Sequence, residues 1–285
     1  MDKNLIQRCI TGSLFVIVLV GCIIGHPLSF GGLFLLITIL GLWEFYGLAE
    51  KAGAQPLKTY GTLVGAFLFA LAFLAKRDHN FALLLAVLPM IFLVFFAELY
   101  RKKDHPFTNI AFTLTGILYV ALPFALWCLV IVPTHTAVSG WLSEQPLFSY
   151  RWHLFLGFFI LMWTSDTMAY VCGRLFGKHK LFERISPKKT WEGTIGGGLF
   201  ALGAAFLVAH FWKDIELVHW LVIAGIVVVC GNLGDLTESL FKRSINIKDS
   251  GNILPGHGGI LDRFDAALLA SPFVACYLLF IPSVQ

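Results

Sequence analysis

Nine stretches of this chain are apolar and long enough to be read as membrane spans, at residues 9–25, 28–49, 60–75, 81–99, 110–132, 154–171, 194–212, 220–240 and 266–281. A helix needs about 20 mostly apolar residues to cross the hydrocarbon core of a bilayer. Nothing else in the sequence restricts the fold so severely. Charged residues make up only 13% of the 285, against roughly 25% in a soluble domain, so the chain cannot cover itself with charge and must use lipid as solvent. In lipid every backbone group has to be satisfied internally, which favours helices. The expected fold is an all-α polytopic membrane protein of about nine transmembrane helices. The third span is short, and only His26 and Pro27 separate the first two, so a re-entrant pair is the alternative to two full crossings there. The first apolar run lacks a small-x-small exit and leads straight into another span, so no cleavable signal peptide is expected.

Lysine and arginine set the orientation. With nine spans and the N-terminus inside, only Lys76, Arg77, Arg151 and Lys213 of the 21 fall outside. The expected topology is N-terminus cytoplasmic, C-terminus periplasmic. The six cysteines show no CxxC pair and most lie in apolar runs, as small buried side chains do, without disulfides or zinc.

Composition divides the chain at about residue 150. Spans in 1–150 are rich in Phe and Leu, as suits scaffold helices and the interface of a homodimer. In 151–285 polar residues gather at the inside ends of spans and in two loops, 172–193 and 241–265. Function is expected there.

Three acidic clusters carry that expectation. "MWTSDTMAY" puts Asp166 in the sixth span; "GNLGDLTES" puts Asp235, Glu238 and Ser239 on one face of the eighth; "DRFD" puts Asp262 and Asp265 a turn apart at the entry of the ninth. Singly, each has an ordinary reading: a helix-pairing acid, a solvated helix end, or acids that complement a helix dipole. Together they need three coincidences on one membrane face, and ionisable residues at that depth are costly. Carboxylates and hydroxyls suit Mg²⁺, which joins protein oxygens to substrate phosphates; the histidines and cysteines a soft metal would want are scattered.

Bases and glycines accompany the acids. "ISPKKTWEGTIGGG" supplies Lys188, Lys189 and a glycine run, and "SLFKRSINIKD" supplies Lys242, Arg243 and Lys248. Such groups at a helix entry suit a phosphate. Arg101, Lys102 and Lys103 read as positive-inside anchors. His257, Gly258 and Gly259 would let backbone approach a ligand closely, with His257 donating a hydrogen bond. The stretch reads as a phosphate and metal site at the inside surface, where a soluble polyphosphate meets a lipid. A lipid or polyprenol kinase would use the same groups. A transporter would carry its polar residues on through several spans, and here they stop at the inside ends.

Residues 239–265, "SLFKRSINIKDSGNILPGHGGILDRFD", resemble the phosphatidate cytidylyltransferase (CDP-diacylglycerol synthase) pattern, as do "SPKKTWEG" and "SDTMAY". The likeness covers roughly 154–282 and points to a bacterial member, of enterobacterial type. The arrangement of a CDP-alcohol phosphotransferase is absent. The resemblance implies transfer of CMP from CTP to phosphatidate with Mg²⁺, at the cytoplasmic face of the bacterial inner membrane, with nucleic acid not among the partners. It implies metal binding by Asp235, Asp262 and Asp265 with help from Asp166, and charge neutralisation by Lys188 and Lys189. Substrate contacts would come from Ser239, Lys242, Arg243, Lys248, Asp249, His257, Gly258, Gly259 and Arg263. A second, monovalent cation is left open.

Overall fold

The computed structural model describes residues 3–133, 150–253 and 258–281. Nine helices run through these residues: α1 Lys3–Gly25, α2 Pro27–Lys51, α3 Lys58–Arg77, α4 Phe81–Arg101, α5 Pro106–Ile131, α6 Trp152–Phe176, α7 Trp191–Phe211, α8 Leu217–Ser244 and α9 Leu261–Leu279. The first six residues of α4 wind as a 3₁₀ turn. A two-stranded antiparallel hairpin, β1 Lys180–Phe182 and β2 Ser186–Thr190, stands between α6 and α7. The all-α polytopic class holds. Seven helices, α2 to α8, are long and apolar enough to cross a membrane. Of the other two expected spans, α1 is apolar only over Ile10–Gly25, and α9 opens on Asp262, Arg263 and Asp265. The chain folds as two compact units, the first holding residues up to Trp152 with Asp249–Arg263, the second His153–Lys248 with the segment from Phe264 onward.

In the first unit, α1 and α2 are separate helices joined through His26. Its backbone is extended, its Nδ1 accepts from Leu28 N at 3.1 Å, and Ser29 Oγ returns the cap by accepting from His26 N at 3.1 Å. With Pro27 ready for a helix's first turn, the break and restart follow from local chemistry. Phe30, Phe34, Phe69 and Phe124 form the apolar centre, with Phe30 and Phe34 stacked at 4.7 Å and Phe124 edge-on to Phe34 at 5.3 Å. A polar knot ties the loop after α2 to α4 and α5. Buried Asn109 donates to Glu98 Oε1 at 2.7 Å and accepts from Gln55 N at 2.7 Å, while Thr113 Oγ1 accepts from Leu57 N at 2.9 Å. Arg101 bridges Glu98 and the Gln55 carbonyl. Each group finds a partner, as burial away from water requires. A π turn at Ile117–Ala121 interrupts α5 just ahead of Pro123. Proline has no N–H for the carbonyl four residues back and crowds it, and the wider turn accommodates both.

In the second unit, α7 packs through a stripe of small residues. Gly193, Gly197, Ala201 and Ala205 recur every fourth position and are buried. A Cβ on Gly197 would come within 2.5 Å of the Ser165 carbonyl, and one on Gly193 within 2.7 Å of the Ala169 carbonyl, both on α6. Small residues at this spacing let helices approach closely where lipid provides no hydrophobic drive. Gly193 and Gly197, two of the glycines at the start of this helix, are therefore used for helix contact. Trp220, fully buried, and the ring cluster of Phe155, Phe158, Phe159 and Phe264 fill the interior. A second π turn, Val227–Gly231, divides the apolar half of α8 from its polar half, which begins at Asn232. No proline explains this one.

Candidate active site

Lysine 189 reaches its place because a hairpin delivers it. Thr190 caps α7, its hydroxyl accepting from Gly193 N at 3.2 Å. Glu192, in the first turn, accepts from the backbone N–H groups of Lys178 and His179 and contacts His179 Nδ1 at 2.6 Å. Trp191 N donates to the His179 carbonyl at 3.0 Å. The hairpin base is thus closed onto the helix start. Successive residues of a strand face opposite ways: Lys188 is exposed, and Lys189 turns inward, half-buried.

Inward it meets α8. Lys189 Nζ lies 2.6 Å from Asp235 Oδ2 and 3.4 Å from Asn232 Oδ1. Asp235 Oδ1 also accepts from Ser239 Oγ at 3.2 Å, four residues on along the same face. The next such pair is Glu238 with Lys242, whose Nζ stands 3.2 Å from Oε1. Both side chains are buried. Asp166 of α6 is within electrostatic range of Lys189 and Asp235; Asp265 of α9 is within range of Asp235, Lys242 and Asp166. Asp265 Oδ1 accepts from Ala266 N at 2.7 Å. Close contact of α8 with α9 is permitted by Gly234, where a Cβ would come within 2.6 Å of the Asp265 carbonyl. The cluster holds four carboxylates, Asp166, Asp235, Glu238 and Asp265, against two ammonium groups, Lys189 and Lys242, a formal excess of two negative charges.

Asp262 is engaged within the first unit. Its Oδ2 accepts from Ser250 N at 2.9 Å, Ser250 Oγ at 3.0 Å and Gly259 N at 2.8 Å. Gly258 beside it has a φ of +85°, a conformation glycine adopts freely, and a Cβ there would come within 2.6 Å of Asp262 Oδ2. Glu44 of α2 joins this set: its Oε2 accepts from Leu261 N at 3.0 Å and stands 3.2 Å from Ser250 Oγ, whose single proton it shares with Asp262.

Of the residues expected from sequence, Asp166, Lys189, Asp235, Ser239, Lys242 and Asp265 gather in the second unit, and Asp262 and Gly259 are bonded together in the first. Arg243 is exposed and its Nη1 donates to the Ile247 carbonyl at 3.1 Å, closing the end of α8. Lys188, Lys248, Asp249 and Arg263 are exposed. His257 lies outside the described residues. Asn232 and Glu44 were not anticipated. The signal for Glu44 was present, a lone carboxylate in the apolar "GLWEFYGL", but it lies in the half read as scaffold.

The donor set is all hard oxygen, which suits Mg²⁺. Among the described residues no group of three or more His, Cys, Asp or Glu is arranged to hold a metal by itself. Mg²⁺ commonly binds through one or two carboxylates, completing its shell with water and substrate phosphate, and the cluster fits that mode.

Comparison with known proteins extends the picture. Residues 6–281 match the Cytidylyltransferase family. A protein of Staphylococcus saprophyticus named phosphatidate cytidylyltransferase is 34% identical over 268 residues, covering 92% of this chain and 96% of its own. One of the same name from Staphylococcus haemolyticus is 38% identical over 196 residues, 68% of each chain. One from Haemophilus influenzae is 44% identical over 133 residues, a match spanning 46% of that protein's length.

Proposed function

Since the chain belongs to the cytidylyltransferase family, we propose that it is a phosphatidate cytidylyltransferase of phospholipid biosynthesis, passing CMP from CTP to phosphatidate. The observation that carries the reading is the cluster of α6, α8 and α9, with four carboxylates beside Lys189 and Lys242. A phosphate monoester has its second pKa near about 6, so phosphatidate arrives largely as the dianion. Its oxygen attacks the α-phosphorus of CTP, the bond from that phosphorus to the bridging oxygen breaks, and pyrophosphate leaves. No strong base is needed, and the protein's work is alignment and charge neutralisation.

Asp235 and Asp265, with Asp166 as helper, are the residues we assign to Mg²⁺, which would supply charge neutralisation on the triphosphate. Lys189 and Lys242 neutralise phosphate oxygens as they leave their carboxylate partners. Ser239 fixes the rotamer of Asp235. Lys188, Arg243, Lys248 and Arg263, exposed cations, draw the polyphosphate in. Asp262, expected as a metal ligand, also holds Ser250 and Gly259 in place through Oδ2. The enzyme works in the bacterial cytoplasmic membrane with this cluster facing the cytoplasm, the side that holds CTP and, on the expected topology, most of the Lys and Arg.

The test is transfer by purified protein in detergent with α-labelled CTP, phosphatidate and Mg²⁺. Label is expected in the lipid, is lost with EDTA, and falls roughly 10³-fold in Asp265→Asn. A γ-label moving into lipid instead would make the protein a kinase. No movement of either label would end the enzymatic reading.

A further inference from the structure

Glu44 sits within apolar α2, only 7% exposed, a setting in which a carboxylate is costly and calls for a function. Its Oε2 holds Leu261 N and Ser250 Oγ, and Asp262 Oδ2 holds Ser250 N, Ser250 Oγ and Gly259 N. The two carboxylates therefore tie Ser250 to Gly259 and Leu261. Glu44 Oε1 has no hydrogen-bond partner among the described residues. It lies against Gly251, where the three atoms nearest to an added Cβ would all belong to Glu44. The backbone of Gly251 is outside the left-handed region, so conformation alone would allow alanine; the carboxylate is what excludes it. A Cβ on Gly259 would collide with the same carboxylate and with Ser250 Oγ.

We infer that Glu44 is a positioning residue for the transfer reaction: α2 is the template on which Ser250, Gly251, Gly259 and Leu261 are set, and the carboxylate holds these motif residues in their working places. This rests on the cytidylyltransferase reading. Glu44 touches no substrate in this scheme and acts through Ser250, Gly251, Gly259 and Leu261.

The experiment compares wild type, Glu44→Ala, Glu44→Gln, Gly251→Ala and the Glu44→Ala/Gly251→Ala pair, reading kcat, KM for both substrates and thermal unfolding in detergent. Misplacing a loop by about 1 Å can cost roughly 10²-fold in rate. Glu44→Ala is expected to lose about that much in kcat per folded protein, with KM values moving by roughly threefold or less. Glu44→Gln keeps one acceptor oxygen and the side chain's volume, and should recover about tenfold of the loss. Gly251→Ala should be damaging in the wild type and add little in Glu44→Ala, a non-additivity expected of groups in contact. Activity per folded Glu44→Ala protein within roughly threefold of wild type, or additive effects of the two alanines, would overturn the inference. Wild-type transfer tests the reaction itself, and the coupling of the two alanines in thermal unfolding tests the grip without it, so the two failures are distinct.

Discussion

Lys188 and Lys189 are neighbours of one type, and the pleat of β2 gives them different surroundings. Lys189 Nζ stands 2.6 Å from Asp235, whereas Lys188 is exposed. Removing a positioned donor at a developing charge costs about 10²–10³ in kcat. Lys189→Met is expected to show that loss, and Lys188→Met to raise KM for CTP by less than about tenfold, as loss of steering does; steady-state kinetics on the two purified variants decide. Equal defects would mean that the side chains are not sorted by the strand. At this scale the sequence was legible wherever spacing reports geometry. The i, i+4 relation of Asp235 with Ser239, and of Glu238 with Lys242, is a contact in the fold because both pairs lie on one continuous helix. Glu44 was not legible, because its partners stand 206 and 217 positions away, and no local periodicity reports a contact over that distance.

Helix α7 shows how one sequence feature serves two physical ends. A glycine-rich helix entry suits phosphate, and glycine at every fourth position suits close helix packing; composition cannot separate these, but Gly193 and Gly197 are backed against carbonyls of α6. Gly203 lies on the same helix with open space around it. Gly197→Leu should force backbone apart at a cost of about 1–3 kcal/mol, while Gly203→Ala should be neutral or gain up to about 1 kcal/mol from helix propensity. Thermal unfolding in one detergent orders the variants, and an unchanged midpoint for Gly197→Leu would refute the packing role. Apolar run lengths foretold each helix, since burial in lipid leaves the backbone little choice. They were silent on the two π turns, because an inserted residue leaves hydropathy unchanged, and on the β1–β2 hairpin, too short to show an alternation.

For the whole molecule, the division of labour drawn along the sequence at residue 150 misses where one segment folds. Asp249–Arg263 is compact with the first half of the chain, and the chain passes into the second unit at Phe264, within α9. Motif residues held by an acid from α2 are thus part of a unit otherwise free of them. Orientation in the bilayer is a property of the same scale, since it depends on the sum of charges over all loops. Helix α7 has 21 residues, about 31 Å at 1.5 Å per residue, enough for one crossing of a core about 30 Å thick. Lys180 on β1 and Lys213 after α7 must then lie on opposite faces, the first inside and the second outside on the charge bias. Both are exposed. Lys213→Cys should react with a membrane-impermeant maleimide in intact spheroplasts, and Lys180→Cys only in inside-out vesicles, each read above the labelling of the parent protein's own cysteines, of which Cys276 is exposed. Labelling of both from one side would mean that α7 does not cross, and the reversed pattern would turn the active cluster away from the cytoplasm and its CTP.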